Sequence, residues 1–229
     1  MMPDNTSFYI DDVAVPVSWY VIDEGRNDMF YFKVGDQALQ ERVTPGNYSL
    51  VTLNEELVNK MASAGFTDYF EPAPNVSKNI IRIVGTTTTP FEILTDKQVR
   101  DLGYDSSATV NNILRNFTAK VNHNNSAYES GFVDLFPIRN LYLSCSGLGN
   151  FNTMSVSGER SIVKKIPVNA GYGEMIFDQS VVGIDYLDCS HQTLSRVGFQ
   201  LKDVFGRVVD LHGNHFSFSI VFSRISEIQ

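Results

Sequence analysis

The last strand-like run of the chain constrains its fold more than any other feature. Phe216, Phe218, Ile220 and Phe222 alternate with Ser217, Ser219, Val221 and Ser223. A pleated strand satisfies this period of two and a helix does not. The phenylalanine row is expected to point into a core, where burying each ring is worth ~1.5–3 kcal/mol. Just upstream, Val197, Phe199 and Leu201 alternate with Gly198, Gln200 and Lys202, residues 204–207 turn the chain, and residues 208–212 run back. Gly213 and Asn214 read as a two-residue hairpin loop of type II′, because glycine tolerates the positive φ needed at its first position. The end of the chain therefore reads as a meander. Further strands are expected at 139–145, 161–168, 174–177 and 184–187. Many short strands and few helices imply an all-β fold. The expected architecture is an antiparallel β-sandwich, jelly-roll-like, with one or two short helices inserted in the first half.

The first half is less regular. Residues 8–22 are strand-like but contain Pro16, which cannot donate to a ladder and marks an edge or a bend. Residues 24–28 form a turn, and 29–34 read as the returning strand of a hairpin. After the turn at 44–48 comes the clearest helix. Thr52 is placed to cap it, with Glu55 three residues on completing a capping box. Leu53, Leu57 and Met61 then share one face, and Gly65 sits where a terminating glycine belongs. Short strands are expected at 79–84 and 91–94, and a short helix from Thr95 towards Gly103. Residues 110–120 fit helix or loop equally. Residues 121–131 are polar and turn-rich, which marks a loop or linker. The expected domains are thus an N-terminal β subdomain (1–120) with the helices, the linker (121–131), and a C-terminal antiparallel subdomain (132–229). No repeat of fixed period is present.

Composition narrows the function classes. Of the 229 residues, 43% are hydrophobic and only 19% charged, which suits sheets and buried interfaces. The net charge of −8 repels phosphate backbones, so direct nucleic-acid binding is not expected. Arg160, Lys164 and Lys165 form a small basic cluster, read as a solvated strand face. Cys145 and Cys189 belong to no metal-binding or redox pair and are expected to be reduced, buried thiols. The N-terminus has neither a basic nor an apolar leader segment, and no run approaches the ~18 apolar residues of a membrane helix. Secretion and membrane insertion are therefore not expected. The glycosylation-like triplets at Asn5, Asn47, Asn75, Asn116 and Asn124 are read as chance matches in an Asn-rich chain.

Candidate chemistry is sparse. Asp210, His212 and His215 could form half of a metal site, but a structural zinc needs four ligands and no third or fourth side is evident. A cross-strand histidine pair near solvent accounts for them. Residues 9–12 (YIDD) match a polymerase string too short to carry weight. Cys189 and His191, or Asp188 and His191 with a serine, can be assembled into a dyad or triad on paper. Nothing marks a nucleophile as activated, and no nucleophile elbow is present. The glycine-rich residues 169–173 lack the lysine of a phosphate-binding loop and read as a tight turn. Residues 145–150 read as a loop between strands. The sequence assigns no catalytic, cofactor-binding or metal residue and no cofactor, and the chain is not expected to be an enzyme. Trp19, Tyr20, Phe30, Tyr31 and Phe32 cluster in the first hairpin, as core or as a subunit interface.

Several segments taken in order carry a resemblance. They are VPVSWYVI (15–22), DMFYF (28–32), TPGNYSLVTLNEELVNKM (44–61), DLGYDS (101–106), PIRNLYLSCSGLGN (137–150), VKKIPVNAGYGEMIF (163–177) and VGFQLKDVFGRVVDLHGNHFSFSIVF (197–222). The most specific are the PGNY turn before a helix, the KKIPVNAGYG segment, and the closing L-x-D-x-x-G-x-x-V-x-L-x-G hairpin. Over nearly its whole length the chain resembles capsid-associated proteins of Polinton (Maverick) elements and of adintovirus-like and virophage-like DNA viruses. The resemblance implies a virion structural protein, a penton-like, minor capsid or vertex subunit, built like a jelly roll. It would assemble as a trimer or pentamer with itself and with other capsid proteins, in the host cytoplasm or nucleus. None of the matching segments is catalytic. A binding module of similar fold is the alternative, a receptor- or glycan-binding spike head using Tyr128, Asn150, Asn152 and Tyr172. A metal-dependent enzyme using His212 and His215 is the third.

Overall fold

The alternating residues at the end of the chain form a strand, and its partner lies at the other end of the sequence. The computed structural model describes residues 1–104, 111–116, 122–124, 127–148, 161–179, 185–194 and 196–224. In chain order its elements are β1 (Thr6–Pro16), β2 (Met29–Val34), β3 (Gln37–Arg42), α1 (Leu50–Ser63), β4 (Phe70–Pro72), β5 (Arg82–Gly85), β6 (Phe91–Ile93) and α2 (Asp96–Asp101). They continue with β7 (Asn122–Asn124), β8 (Ala127–Glu129), β9 (Asn140–Ser146), β10 (Ile162–Pro167), β11 (Met175–Asp178), β12 (Leu187–Asp188), β13 (Gly198–Lys202) and β14 (Ser217–Arg224). All pairings between these strands are antiparallel. The chain is mostly strand and fits the expected all-β, sandwich-like class, with both α-helices in the first half. No helix among the described residues is long and apolar enough to cross a membrane.

The chain divides into two compact units. The first joins Met1–Trp19 to Ile138–Gln229, and the second is Tyr20–Pro137. This differs from the division expected at 120 and 131. The reason is pairing: β1 is hydrogen-bonded to β11, β12 and β14, so the first residues belong with the last third. The second unit is thus an insertion between β1 and β9.

In the first unit β1 is the middle strand of one sheet, with β14 on one side and β12 and β11 on the other. A second sheet has the order β10-β9-β13. Phe8, Ile10, Val13 and Val15 of β1 meet Leu141, Leu143 and Cys145 of β9, Ile166 of β10 and Leu201 of β13 in one core. Two irregularities face each other across it. The β1 register shifts between Asp11 and Ala14, where Asp12 takes a positive φ of 49°, and the β10 register shifts between Ile162 and Lys164. The second shift turns Lys164 inward. Its side chain is 6% exposed, with Nζ 3.1 Å from the Ile10 carbonyl oxygen, to which it donates, and 3.5 Å from Asp178 Oδ2. The reading of Lys164 as part of a solvated face is therefore corrected, while Lys165 does face solvent. Arg160 lies outside the described residues.

The closing segment also departs from expectation. The turn is centred on His212 and Gly213, with φ of 52° and 77°, and Asn214 N donates to Leu211 O at 3.0 Å. Two positive φ values mark a type I′ turn, one residue earlier than the expected II′ loop. β14 does not fold back on residues 208–212, which instead return against β13 through Lys202 and Val208. The phenylalanine row does face the core side, opposite Phe8 and Ile10, but it is only half-buried.

The second unit has sheets ordered β3-β2-β6 and β4-β5-β8-β7. Residues 29–34 pair with β3 and β6, not with residues 8–22 as expected, because the chain leaves the first sheet after Pro16. Leu53, Leu57 and Met61 of α1 are fully buried with Phe30, Phe32, Ile81 and Ile83. The helix begins a turn earlier than Thr52: Ser49 is the cap and Thr52 supplies the reciprocal bond of the capping box. The Asn54 amide donates to Arg82 O at 3.0 Å and ties the helix to β5. α2 starts after Thr95, as expected of a helix beginning there, with Thr95 as its cap and Gln98 completing a capping box. The segment read as a linker contains β7 and β8, and Tyr128 is buried in this core. A polar sequence hides this strand because its single large apolar side chain alone faces inward.

Removing one member of a buried ion pair leaves the other charge uncompensated, at ~3–5 kcal/mol. Lys164→Ala is expected to lower the unfolding free energy by about that amount in urea denaturation. Lys164→Met with Asp178→Leu is expected to recover most of the loss, because a well-packed apolar pair replaces the ionic one.

Candidate functional site

A turn built from bulky apolar residues is unusual, and residues 203–208 are such a turn. Asp203 follows β13 directly, with its side chain only 5% exposed. Its Oδ1 accepts from the backbone N–H groups of Phe205 (2.9 Å) and Arg207 (3.0 Å). Its Oδ2 accepts from Arg207 Nε at 2.7 Å and lies 2.6 Å from Arg207 Nη2. Gly206 takes a φ of 79°, which closes the turn without a Cβ penalty. The Arg207 guanidinium lies 4.8 Å from the centre of the Phe205 ring. One carboxylate thus fixes the backbone and the arginine, and the arginine fixes the ring. Phe205 is nevertheless 68% exposed, with Val204 and Val208 exposed beside it. A held aromatic ring next to a cation loses little conformational freedom on binding, which is the character of an interface anchor.

The same unit shows a second apolar area on the outer face of the β1 sheet. Phe177 lies opposite Ala14 and Met175 opposite Pro16. These small or compact neighbours leave Phe177 64% exposed. Tyr9 and Tyr186 are in ring contact at 4.9 Å on the same strand system. These surfaces can bind apolar partners by exclusion of water.

The residues singled out by sequence fall elsewhere. His212 Nδ1 lies 2.8 Å from the Ser18 carbonyl oxygen, which can only accept, so this nitrogen carries the proton. Asp210 Oδ1 accepts from the His212 backbone N–H at 2.7 Å. Both residues hold the turn, and Asp210, with Leu211, His215 and Phe216, borders a shallow depression of about 350 Å³. No cluster of three or more His, Cys, Asp or Glu side chains that could hold a metal occurs among the described residues. Tyr9 lies in β1 and Asp12 at its bulge, accepting from Gln179 Nε2 at 3.1 Å. Cys189 is sealed in the core with Sγ 3.5 Å from Thr6 O, whereas His191 is on the surface 3.4 Å from Asp4 Oδ1. The dyad drawn on paper therefore has its two members engaged with different partners. Residues 169–173 form the expected tight turn, in which Gly171 N donates to Glu174 Oε2 at 2.7 Å. Trp19 is buried in the core of the first unit, Phe30 and Phe32 in that of the second and Tyr31 in a smaller cluster, while Tyr20 is partly buried, so the five aromatics do not form one cluster. Tyr172 is exposed, Tyr128 is buried, and Asn150 and Asn152 lie outside the described residues.

The anchor at Phe205 was hidden because residues 204–207 read simply as a turn. Its signal is an aspartate at the turn's first position, with Val-Phe where polar residues are usual and arginine four residues on.

Both cysteines are free and buried. Burial raises each thiol's pKa, helped at Cys189 by the neighbouring Asp188 charge. A raised thiol pKa means less thiolate at a given pH, and burial also blocks access. Neither thiol is expected to react with Ellman's reagent in the native protein at pH 8, and both are expected to react in denaturant. Comparisons with protein families, with curated proteins and with solved structures each found no match.

Proposed function

We propose that the chain is a non-enzymatic structural subunit of a virion, a coat or vertex component that assembles with copies of itself and with other coat proteins. The observation that supports this most is Phe205, held by Asp203 and Arg207 yet left to solvent. Phe177 and Met175 add a second uncovered apolar area on a rigid sheet. Burying a side chain of this kind is worth ~1.5–3 kcal/mol. Repeated symmetric contacts of modest individual strength then sum to a closed ring or shell. The resemblance to capsid-associated proteins of Polinton-like viruses points the same way and suggests a penton-like or minor capsid position. Of the residues named for the receptor- or glycan-binding alternative, Tyr128 is buried and Tyr172 is exposed, while Asn150 and Asn152 lie outside the described residues.

Native mass by light scattering over a range of concentrations is expected to give a defined oligomer, a trimer or pentamer or a larger closed particle. A strict monomer at high concentration overturns the reading. Phe205→Ser is expected to leave the melting temperature nearly unchanged, since surface changes are usually within ±0.5 kcal/mol. It is expected to weaken self-association by about 30-fold, the equivalent of losing one ~2 kcal/mol hot spot.

A further inference from the structure

Strand β14 hydrogen-bonds to β1, and no described residue pairs along its opposite edge. None of its eight residues is buried. An edge strand of this length normally carries guards such as proline, inward charge, a lysine or a bulge. β14 carries none of these: its sequence is SFSIVFSR, its single charge is the terminal Arg224, and the register shift in this pair is on β1, between Asp11 and Ala14. Its core-side row is also unfinished. Phe222 is 44% exposed although the Phe8 opposite it is fully buried.

The residue order names the missing neighbour. About Ile220 the strand reads nearly the same in both directions: Ser217 matches Ser223, Phe218 matches Phe222, and Ser219 matches Val221. We propose that β14 pairs antiparallel with β14 of a second copy about a two-fold axis at Ile220. Residues directly opposed in an antiparallel pair share a face. In this register Phe218 of one copy meets Phe222 of the other on the core side, and Ile220 meets itself. Ser219 meets Val221 on the outer side. Arg224 meets Phe216, so no two charges of like sign face each other. A two-fold contact requires such self-complementarity, and a strand from an unrelated protein gives no reason for it. The pairing joins the two β1 sheets into one and covers the half-exposed row. It deepens the self-assembly reading and rests on the chain associating with itself, though not on its belonging to a virion.

The test uses two double variants on the outer face of the full chain. Ser219→Lys with Val221→Lys sets like charges against each other across the axis. Ser219→Lys with Val221→Glu sets opposite charges there, and in both the lysine at 219 faces Asp11 of its own chain, which keeps the β1 pairing. Light scattering is expected to show that the first variant weakens self-association by on the order of 100-fold or more, with an unchanged far-ultraviolet spectrum, while the second retains the assembly. A double-lysine variant with the mass of the wild-type assembly overturns the β14 contact and leaves the coat reading standing, whereas a fall to single rings or to monomer supports the contact, because a two-fold contact links copies or rings in pairs. A strictly monomeric wild-type protein overturns both.

Discussion

One buried charge organises the first unit. Lys164 reaches across the sandwich to the Ile10 carbonyl and to Asp178, so a single side chain bridges the β10 and β1 sheets. At 3.5 Å and an effective dielectric of ~20 the Coulomb attraction is about 5 kcal/mol. Desolvation costs several kcal/mol for each ion, so the pair contributes little net stability. What it does fix is register. The bulge in β1 and the bulge in β10 are both needed to bring ammonium, carbonyl and carboxylate together. Slipping either strand by one residue would leave a charge inside without its partner. The packing of Phe8, Ile10, Leu141, Leu143 and Ile166 is non-directional, whereas the ion pair adds a directional constraint on register.

What could be read from the sequence was local. The faces of β13 and β14, the face of α1 with Leu53, Leu57 and Met61, and the cap at Thr95 all follow from periods and short-range hydrogen bonds. Pairing partners are not encoded in a period. Val197–Leu201 and Phe216–Phe222 look like neighbours in a meander, yet one pairs with β9 and the other with β1. Bulges are equally hidden: one extra residue at Val163 turns Lys164 inward, and no local pattern announces it. The same holds at 121–131, where polarity suggested a linker and Tyr128 anchors a strand. At the candidate surface the chemistry was legible as residues but not as an arrangement. Asp203, Phe205 and Arg207 become a unit only when Gly206 folds the carboxylate back onto the backbone.

The topology explains why the chain's ends matter so much. β1 finds all its partners in the last third, across the whole inserted unit. Loop closure grows only slowly with length, about 0.6 kcal/mol per doubling, so the insertion is thermodynamically tolerable. Its cost is kinetic, because non-local pairings form late. The inserted unit has its own core and its own helix, and most of its contacts close within 20–137.

β14 lies beside β1 at the edge of the first unit's sheet. It joins the sheet through one edge, and its inner row meets Phe8 and Ile10 on one side only. Phe199 from β13 reaches over to Phe218, with ring centres 4.8 Å apart, while Phe222 meets the Phe8 ring of β1 at 6.1 Å and stays 44% exposed. Among the described residues the first unit seals the middle of its sandwich and leaves the β14 edge partly exposed. A three-strand-wide sheet buries its central strand and leaves the flanking rows half wet, which follows from surface-to-volume scaling. For a protein that stays alone such an edge is a hazard; for one that meets copies of itself it is the cheapest place to be recognised, since the backbone supplies the hydrogen bonds and the sequence needs only to match its own reverse.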